Sequence, residues 1–372
     1  RAVKPGFLRT AGRGDPESWE EDAEEWIEAD PIEPPESFSQ NPVSGSVTLD
    51  EIEDKHDVDA KKNGLGTGGR TEAEKRLESF LGRMHRYMNS ISSPSKAERN
   101  TSHLSPYIRY GCLSVREVYG EVKENGPESF LDRLFWNLHF TQKIEDNPDL
   151  LNEAINPVYR DLYRGDGDPE LVKAWKSGET GFPLVDASMR ALVETGWMNF
   201  RMRAMCVSFY SYILKQWWKE GADFFHRHLI DSDPAINYYQ WQMQSGLIGV
   251  HANRIYDPTK QAEENDPEGR YIRKYVPELR NVPDEYIHEP WKMPERVQQE
   301  TGVEVGSDYP EPKLDYEREA EKARSFFERK APEAYAAFRD DETWRKASLG
   351  SSHDRDKILE RTGSAQSDLS GF

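Results

Sequence analysis

The chain is expected to fold as an all-α domain, and three observations carry that expectation. Apolar residues recur at helical spacing in block after block from Thr71 onward. No interval alternates strand and helix patterns in the manner of a βαβ series. The 10 Trp, 17 Tyr and 15 Phe provide ample ring surface for a helical core.

Taken in order, residues 1 to about 70 are rich in Pro, Gly, Ser, Asp and Glu, and neither "IEADPIEPPESFSQNPVSGS" nor "KKNGLGTGGRTEAEK" sustains a helical period. This zone reads as a linker or loosely packed arm, partly disordered. Gly64-Leu65-Gly66 lacks both a preceding apolar strand and a following Lys-Ser/Thr pair, so it reads as linker rather than phosphate loop. In "TEAEKRLESFLGRMHRYM", Thr71 and Glu74 have the spacing of a capping box, and Leu77, Phe80, Leu81 and Met84 mark one face. "DRLFWNLHFTQKI" repeats the helical pattern, as does "FPLVDASMRALVETGWMNF", with Pro183 placed for a first turn. "FRMRAMCVSFYSYILKQWWKEG" is apolar on more than one face and reads as one long core helix. The helical domain is expected over about 71–330, followed by a charged tail over 331–372, helical to Ser348 and frayed beyond.

The net charge of −19, from 68 acidic and 49 basic residues, excludes nucleic-acid binding through global charge and requires a local basic patch instead. Such acidity suits a cytosol of high salt. Two cysteines, Cys112 and Cys206, exclude a disulfide framework, a cysteine zinc site and a four-cysteine iron–sulfur site, and the cytoplasm is the expected compartment. No run of 18 apolar residues offers a membrane span. The chain starts at Arg1 without a signal peptide and reads as a piece of a longer one.

Three groups of residues point to chemistry. In "DSDPAINYYQW", Asp231, Asp233 and Asn237 stand beside aromatic bulk ending in Trp241, and buried carboxylates need partners. Arg203, on the most apolar stretch of the chain, calls for a carboxylate acceptor, which Asp231 or Asp233 can supply. "NTSHLSPY" clusters hydroxyls and backbone N–H groups before a helical stretch, the arrangement either of a capping turn or of a phosphate cradle. Trp136, Trp217, Trp218 and Trp241 are core residues or members of an indole redox chain, and spacing alone does not separate the two. His226 and His228 flank Arg227 with no third ligand in a metal-type spacing, so no metal site is expected.

"NTSHLSPYIRYGCLSVREVY", "TGFPLVDASMRALVETGWMNFRMRA", "LIDSDPAINYYQWQMQSG" and "NPDLLNEAINPVYRDL…AWKSGETGFP" resemble the photolyase/cryptochrome family. With "DPTKQAEENDPEGRYIRKYVPEL" and "YPEP", the resemblance spans roughly 71–330, the family's helical FAD-binding domain. The resemblance implies FAD as cofactor, with Thr101, Ser102, His103, Leu104 and Ser105 at its phosphates and Tyr87 as an upstream partner. It implies Asp231, Ser232 and Asp233 along the flavin, Arg203 paired with Asp231, Asn237 facing flavin N5 and Phe130 on the flavin side. Trp241 is similar to the flavin-proximal indole of the electron chain and Trp218 to the middle one. The outer position falls near Gly165, with Tyr163 or Trp217 as substitutes.

At the substrate pocket, Trp136 is similar to the indole that packs on an extruded pyrimidine dimer. Arg133 stands in place of a Glu, Phe200 of an Asn, Ala204 of a Met and Met243 of a second Trp. The paired histidines of (6-4) enzymes would fall at Phe200 and Ala204, so that chemistry is not expected. "RNTSH", Lys143, Arg201, Arg254 and Lys260 are candidate rim groups for DNA phosphates. The resemblance implies a monomeric photolyase that acts on pyrimidine dimers in DNA, or else a cryptochrome-like blue-light receptor. An antenna chromophore would belong to an N-terminal α/β domain outside the given chain.

Overall fold

In the computed structural model the described residues are 19–30, 36–37, 45, 47–56, 62, 66–124, 126–250, 254–347 and 355–361. They form helices joined by turns, and strand-like pairing among them is confined to one bridge between Val305 and Tyr309. The N-terminal half contains α1 (Trp19–Glu28), α2 (Leu49–His56), α3 (Arg70–Leu81), α4 (Pro94–Asn100), α5 (Ser105–Arg109), α6 (Val115–Val122) and α7 (Glu128–Asp146). The centre contains α8 (Pro169–Ser177), α9 (Pro183–Thr195), α10 (Phe200–Ser208), α11 (Trp218–His228) and α12 (Pro234–Gln244). Beyond it come α13 (Pro258–Asn265), α14 (Arg270–Tyr275), α15 (Glu295–Thr301), α16 (Tyr316–Ala336), α17 (Asp341–Ala347) and α18 (Arg355–Glu360).

The acidic composition is partly spent on starting these helices. Asp168, Asp233, Asp257 and Asp315 each accept a hydrogen bond from an N–H of the first turn. Pro follows the first three at N1, where its missing N–H leaves nothing unpaired. α9 ends at Gly196 in the left-handed region, and a Cβ there would stand 2.5 Å from Ile230. The bare glycine lets Ile230 N–H reach Gly196 C=O at 3.0 Å, which docks the segment before Asp231 against the end of α9.

Three apolar clusters follow. The largest joins α8–α12 with α14 and α16 around Trp175, Tyr210, Phe225 and Trp241. The second gathers Ile27, Leu77, Phe80, Tyr87, Leu104 and Phe130 from α1, α3, α5 and α7 with their flanking turns. The third sets Phe140 and Tyr239 against Phe338, Ala347 and Ile358 of the C-terminal segment. Each large side chain buried in this way contributes roughly 1.5–3 kcal/mol.

Several sequence expectations change. α3 starts at Arg70 with Gly69 as its cap, so Thr71 lies inside the first turn. Glu74 is taken by Arg70 at 2.7 Å, and Arg70 also reaches Glu117 at 2.6 Å, leaving no capping box. The long helix expected through 200–221 is broken. α10 runs into a wide π turn over Phe209–Ile213, Lys215 takes a left-handed φ of 55°, and α11 begins afresh at Trp218. All five residues of the π turn are buried, and its wider spacing distributes them around the core rather than along one stripe. In the arm, α1 buries Ala23 and Ile27, and Lys62 donates to Val193 C=O at 2.6 Å. The boundary expected near 330 falls inside α16. Gly64, Leu65 and the segment from Ser348 lie largely outside the described residues.

Candidate functional site

Arg203 and Asp231 meet. One guanidinium nitrogen lies 3.1 and 3.0 Å from the two carboxylate oxygens, and Nε donates to Met198 C=O at 2.8 Å. The Asp231 side chain is 6% exposed and that of Arg203 26%, so the carboxylate sits on the dry side of the pair. The Ser105 hydroxyl donates to Asp231 Oδ2 at 2.7 Å, adding a second donor from α5. Of the two acceptors open to Arg203 in the sequence, Asp231 is the one used. Asp233 instead caps α12 through Ala235 N–H at 2.8 Å and pairs with Arg109 at 3.3 Å. Arg109 also donates through Nε to Ser232 C=O at 2.9 Å. Sequence reasoning missed Arg109; its place four residues after Ser105, on the same face of α5, was the available signal.

The neighbouring groups complete a polar wall. Ser232 Oγ lies 2.7 Å from His226 Nδ1, and burial lowers the pKa of that imidazole below its ordinary value. Asn237, buried on α12, donates from Nδ2 to Ala222 C=O at 3.0 Å, which fixes its amide. One turn later Trp241 is 1% exposed, and Trp218 on α11 is 2% exposed. Neither indole Nε1 has a hydrogen-bond partner among the described residues.

Other candidates take different parts. Thr101 Oγ1 is spent on Ala97 C=O at 2.7 Å, closing α4, and is not free for a phosphate. Leu104 is core, so only its backbone is on offer, and its N–H lies 3.4 Å from Ser102 Oγ. His103 takes φ 51°, stacks on Trp197 at 4.6 Å and reaches Glu98 C=O at 3.0 Å. Tyr87 and Phe130 are core rings 5.3 Å apart. Burial raises the Tyr87 phenol pKa against the opposing pull of Arg133. Lys143 is no rim group: its ammonium donates to Arg345 C=O, and burial takes its pKa down to about 8. Arg254 and Lys260 are exposed, and Arg201 lies over the Tyr256 ring at 5.9 Å.

Outside the wall lies an apolar mouth. Trp136 and Phe200 are 38% and 41% exposed, unusual for rings of this size. Arg133, three residues before Trp136 on α7, lies over the Phe200 ring at 4.9 Å. Phe200 begins α10 one turn before Arg203, so mouth and wall share that helix. Met243 packs into the third cluster. Gly165, Tyr163 and Trp217 line a surface cleft of about 540 Å³ with Lys173 and Lys176, and a Cβ on Gly165 would meet nothing within 4 Å. Arg164 lies over Trp217 at 5.2 Å. A further indole, Trp175, escaped the sequence reading of the aromatic chain. It is fully buried, 6.0 Å from Trp241 and 4.5 Å from Tyr210.

Residues 130–329 match the family described as the FAD binding domain of DNA photolyase. The chain belongs to the photolyase/cryptochrome family. Among its relatives, a deoxyribodipyrimidine photo-lyase of Alkalihalophilus pseudofirmus is 40% identical over 70% of this chain and 55% of its own length. Cryptochrome-2 of Arabidopsis thaliana is 32% identical over 72% of this chain and 47% of its own. A solved archaeal photolyase from Sulfolobus tokodaii, described with two FAD molecules, superposes with a TM-score of 0.69 at 27% identity, covering 88% of this chain and 70% of that one. The chain thus spans about half the length of the curated relatives it matches.

The donor set fits the cofactor of this photolyase/cryptochrome domain. Asp231 and Asp233 are each neutralised on one side by an arginine, so their remaining lone pairs can receive sugar hydroxyls or a flavin N–H without an unpaired buried charge. Ser102 Oγ accepts from Leu104 N–H and keeps its own hydroxyl hydrogen, so Ser102 and the Arg109 guanidinium would be the donors toward a diphosphate or ribityl chain, while the Ser105 hydroxyl is held by Asp231. Asn237 and Trp241 stand one turn apart on α12 and would meet the ring system of a cofactor held by Asp231 and Asp233. Among the described residues no group of three or more His, Cys, Asp or Glu is placed to hold a metal ion, and no helix is long and apolar enough to cross a membrane.

Proposed function

We propose that the protein is a light-driven DNA lyase of the deoxyribodipyrimidine photolyase kind, using FAD to split pyrimidine dimers. The observation that carries this reading is the exposed Trp136–Phe200 mouth set one helical turn from the buried Arg203–Asp231 wall. The chemistry a bound, reduced and light-excited flavin supplies is the donation of one electron. Arg203, Asp231, Ser105 and Asn237 bind and orient that cofactor, and the packing around Trp241 keeps water from it. Trp241 and Trp218 are dry, closely held rings suited to passing electrons inward from the surface. At the mouth Trp136 offers a flat face on which an extruded pyrimidine dimer can stack. Arg254, Lys260 and Arg201 are local cations for DNA phosphates on a chain whose net charge of −19 opposes general binding.

A second reading, a cryptochrome-like blue-light receptor without repair activity, has its own observation. The Arg133 guanidinium over Phe200 puts a cation and a ring where base recognition by hydrogen bonds would call for acceptors. One experiment separates the two. The photoreduced, FAD-loaded protein in high salt is illuminated with single-stranded DNA carrying a cyclobutane thymine dimer, and thymine ultraviolet absorbance is followed. Recovery that depends on light is the expected result. No recovery, with flavin that still photoreduces, would replace the lyase by the receptor.

A further inference from the structure

Trp241, on α12, packs against α11 within a turn of Trp218. Gly221 lies one turn after Trp218, and a Cβ there would stand 2.3 Å from Trp241 Cη2. The bare backbone therefore lets the Trp241 ring lie against the helix within a turn of Trp218. The ring that contacts Trp218 in turn is Tyr238, edge to face at a centroid distance of 6.4 Å.

Tyr238 is built differently from its aromatic neighbours. Its ring is buried, and its hydroxyl donates to Asp223 Oδ1 at 2.6 Å. Asp223, about a third exposed, pairs with Lys219 at 2.5 Å. The Lys219 ammonium also lies 4.7 Å over the Tyr238 ring, and the His226 ring is 5.7 Å away. Burial first, and then the hydrogen bond to Asp223, hold the phenol pKa well above its ordinary value, so the resting group keeps its proton. The same hydrogen bond gives that proton somewhere to go if the ring loses an electron.

We propose that Tyr238 is the terminal electron donor to Trp218 and that Asp223 takes its proton. The proposal rests on the flavin reading above and concerns the photoreduction that brings the cofactor to its reduced state, in which light-excited, oxidised flavin is the oxidant and Trp218 gives up one electron inward through Trp241. One electron then passes from Tyr238 to Trp218 as the hydroxyl proton passes to Asp223 Oδ1. The O–H bond of Tyr238 breaks and an O–H bond on Asp223 forms. Trp218 returns to a neutral indole, Tyr238 becomes a neutral phenoxyl radical, and the carboxylate becomes a carboxylic acid. The positive charge that left Trp218 is now a proton at the rim, where Asp223 can release it to water and restore its pair with Lys219.

The same physics disfavours Trp217, because Arg164 over its ring opposes a positive hole there. Lys219 imposes no such penalty on Tyr238, whose oxidised form is neutral. Asp223 is therefore a positioning and proton-accepting residue, and Tyr238 the redox group.

The test uses the FAD-loaded full chain, flash-illuminated and followed by transient absorption, with freeze-trapped samples read by electron paramagnetic resonance. The wild type is expected to give a tyrosyl signal. Tyr238→Phe should lose it and leave an indole radical, with flavin bleaching by the flash retained. Asp223→Asn, which keeps the ring and removes the acceptor, should give the same indole signal. A tyrosyl signal that survives in Tyr238→Phe, or a wild type that yields only an indole radical, would overturn the proposal while leaving the flavin reading in place. A wild type whose flavin does not bleach at all would overturn both.

Discussion

The wall around Arg203 and the mouth around Trp136 are linked through α10, yet they are built in opposite ways. In the wall each charged group is answered within the chain: Asp231 by Arg203 and Ser105, Asp233 by Arg109 and the first turn of α12. In the mouth two large rings stand open to solvent, and a charged group beside them, Arg133, rests on a ring and approaches a phenol. The difference follows from burial. A carboxylate taken out of water costs several kcal/mol unless its partners are already in place, so a cofactor site has to be pre-paired. An exposed ring carries no such demand and can wait for a ligand to cover it.

The contrast can be broken first at the wall. Asp231→Ala leaves Arg203 without its carboxylate and should cost about 2–3 kcal/mol, the lower range for a pair with one partly exposed member. It should also abolish retention of FAD, read as the flavin-to-protein ratio after gel filtration beside a urea unfolding curve. Full retention would mean that the wall is not the cofactor site.

A third charged cluster sharpens the comparison, because it is paired like the wall but lies at the break between the π turn and α11. Glu319 receives Lys215, Lys322 and Arg318. Burial pushes its carboxyl up, and the three cations outweigh this and hold it down at about 2. A depressed carboxyl stabilises the fold above its ordinary pKa of 4.5 and loses that contribution as pH falls toward about 2. Glu319→Gln should therefore be less stable than wild type by roughly 1–2 kcal/mol at neutral pH. The gap should close through this window in thermal melts; a gap independent of pH would assign the cluster a packing role only.

The smallest effect on the folded chain belongs to the mouth. Arg133→Glu removes one cation–π contact and should shift stability by no more than about 1 kcal/mol, with FAD retention unchanged. If the mouth reads a pyrimidine dimer, the new acceptor should raise the preference for damaged over undamaged DNA in a gel-shift titration. Lost flavin in this variant would show that mouth and wall are not separable.

Much of this was legible in advance. Helical periodicity announced the all-α architecture, and the Asp-Pro steps at 168, 233 and 257 announced helix starts, because both signals are local. From residue chemistry alone the Arg203–Asp231 pair was half legible: a buried guanidinium demands a carboxylate, the family resemblance pointed to Asp231, and the structure gives the reason, because α5 delivers Ser105 to Asp231 and Arg109 to Asp233. The Thr71 capping box failed because Arg70, reaching across to Glu117, claimed Glu74. The long helix through 200–221 failed because a run apolar on more than one face does not reveal where a π turn re-phases it.

By itself the sequence determined the class of fold, the family and the polar residues that had to find partners. Those follow from residue type and spacing along the chain. Only the tertiary structure decided which partners they found: that Thr101 closes a helix, that Lys143 is held by the C-terminal segment, and that Tyr238 stands between Trp218 and Asp223. Such assignments join residues from different helices, and the packing of those helices, rather than any local spacing, sets the distances between them.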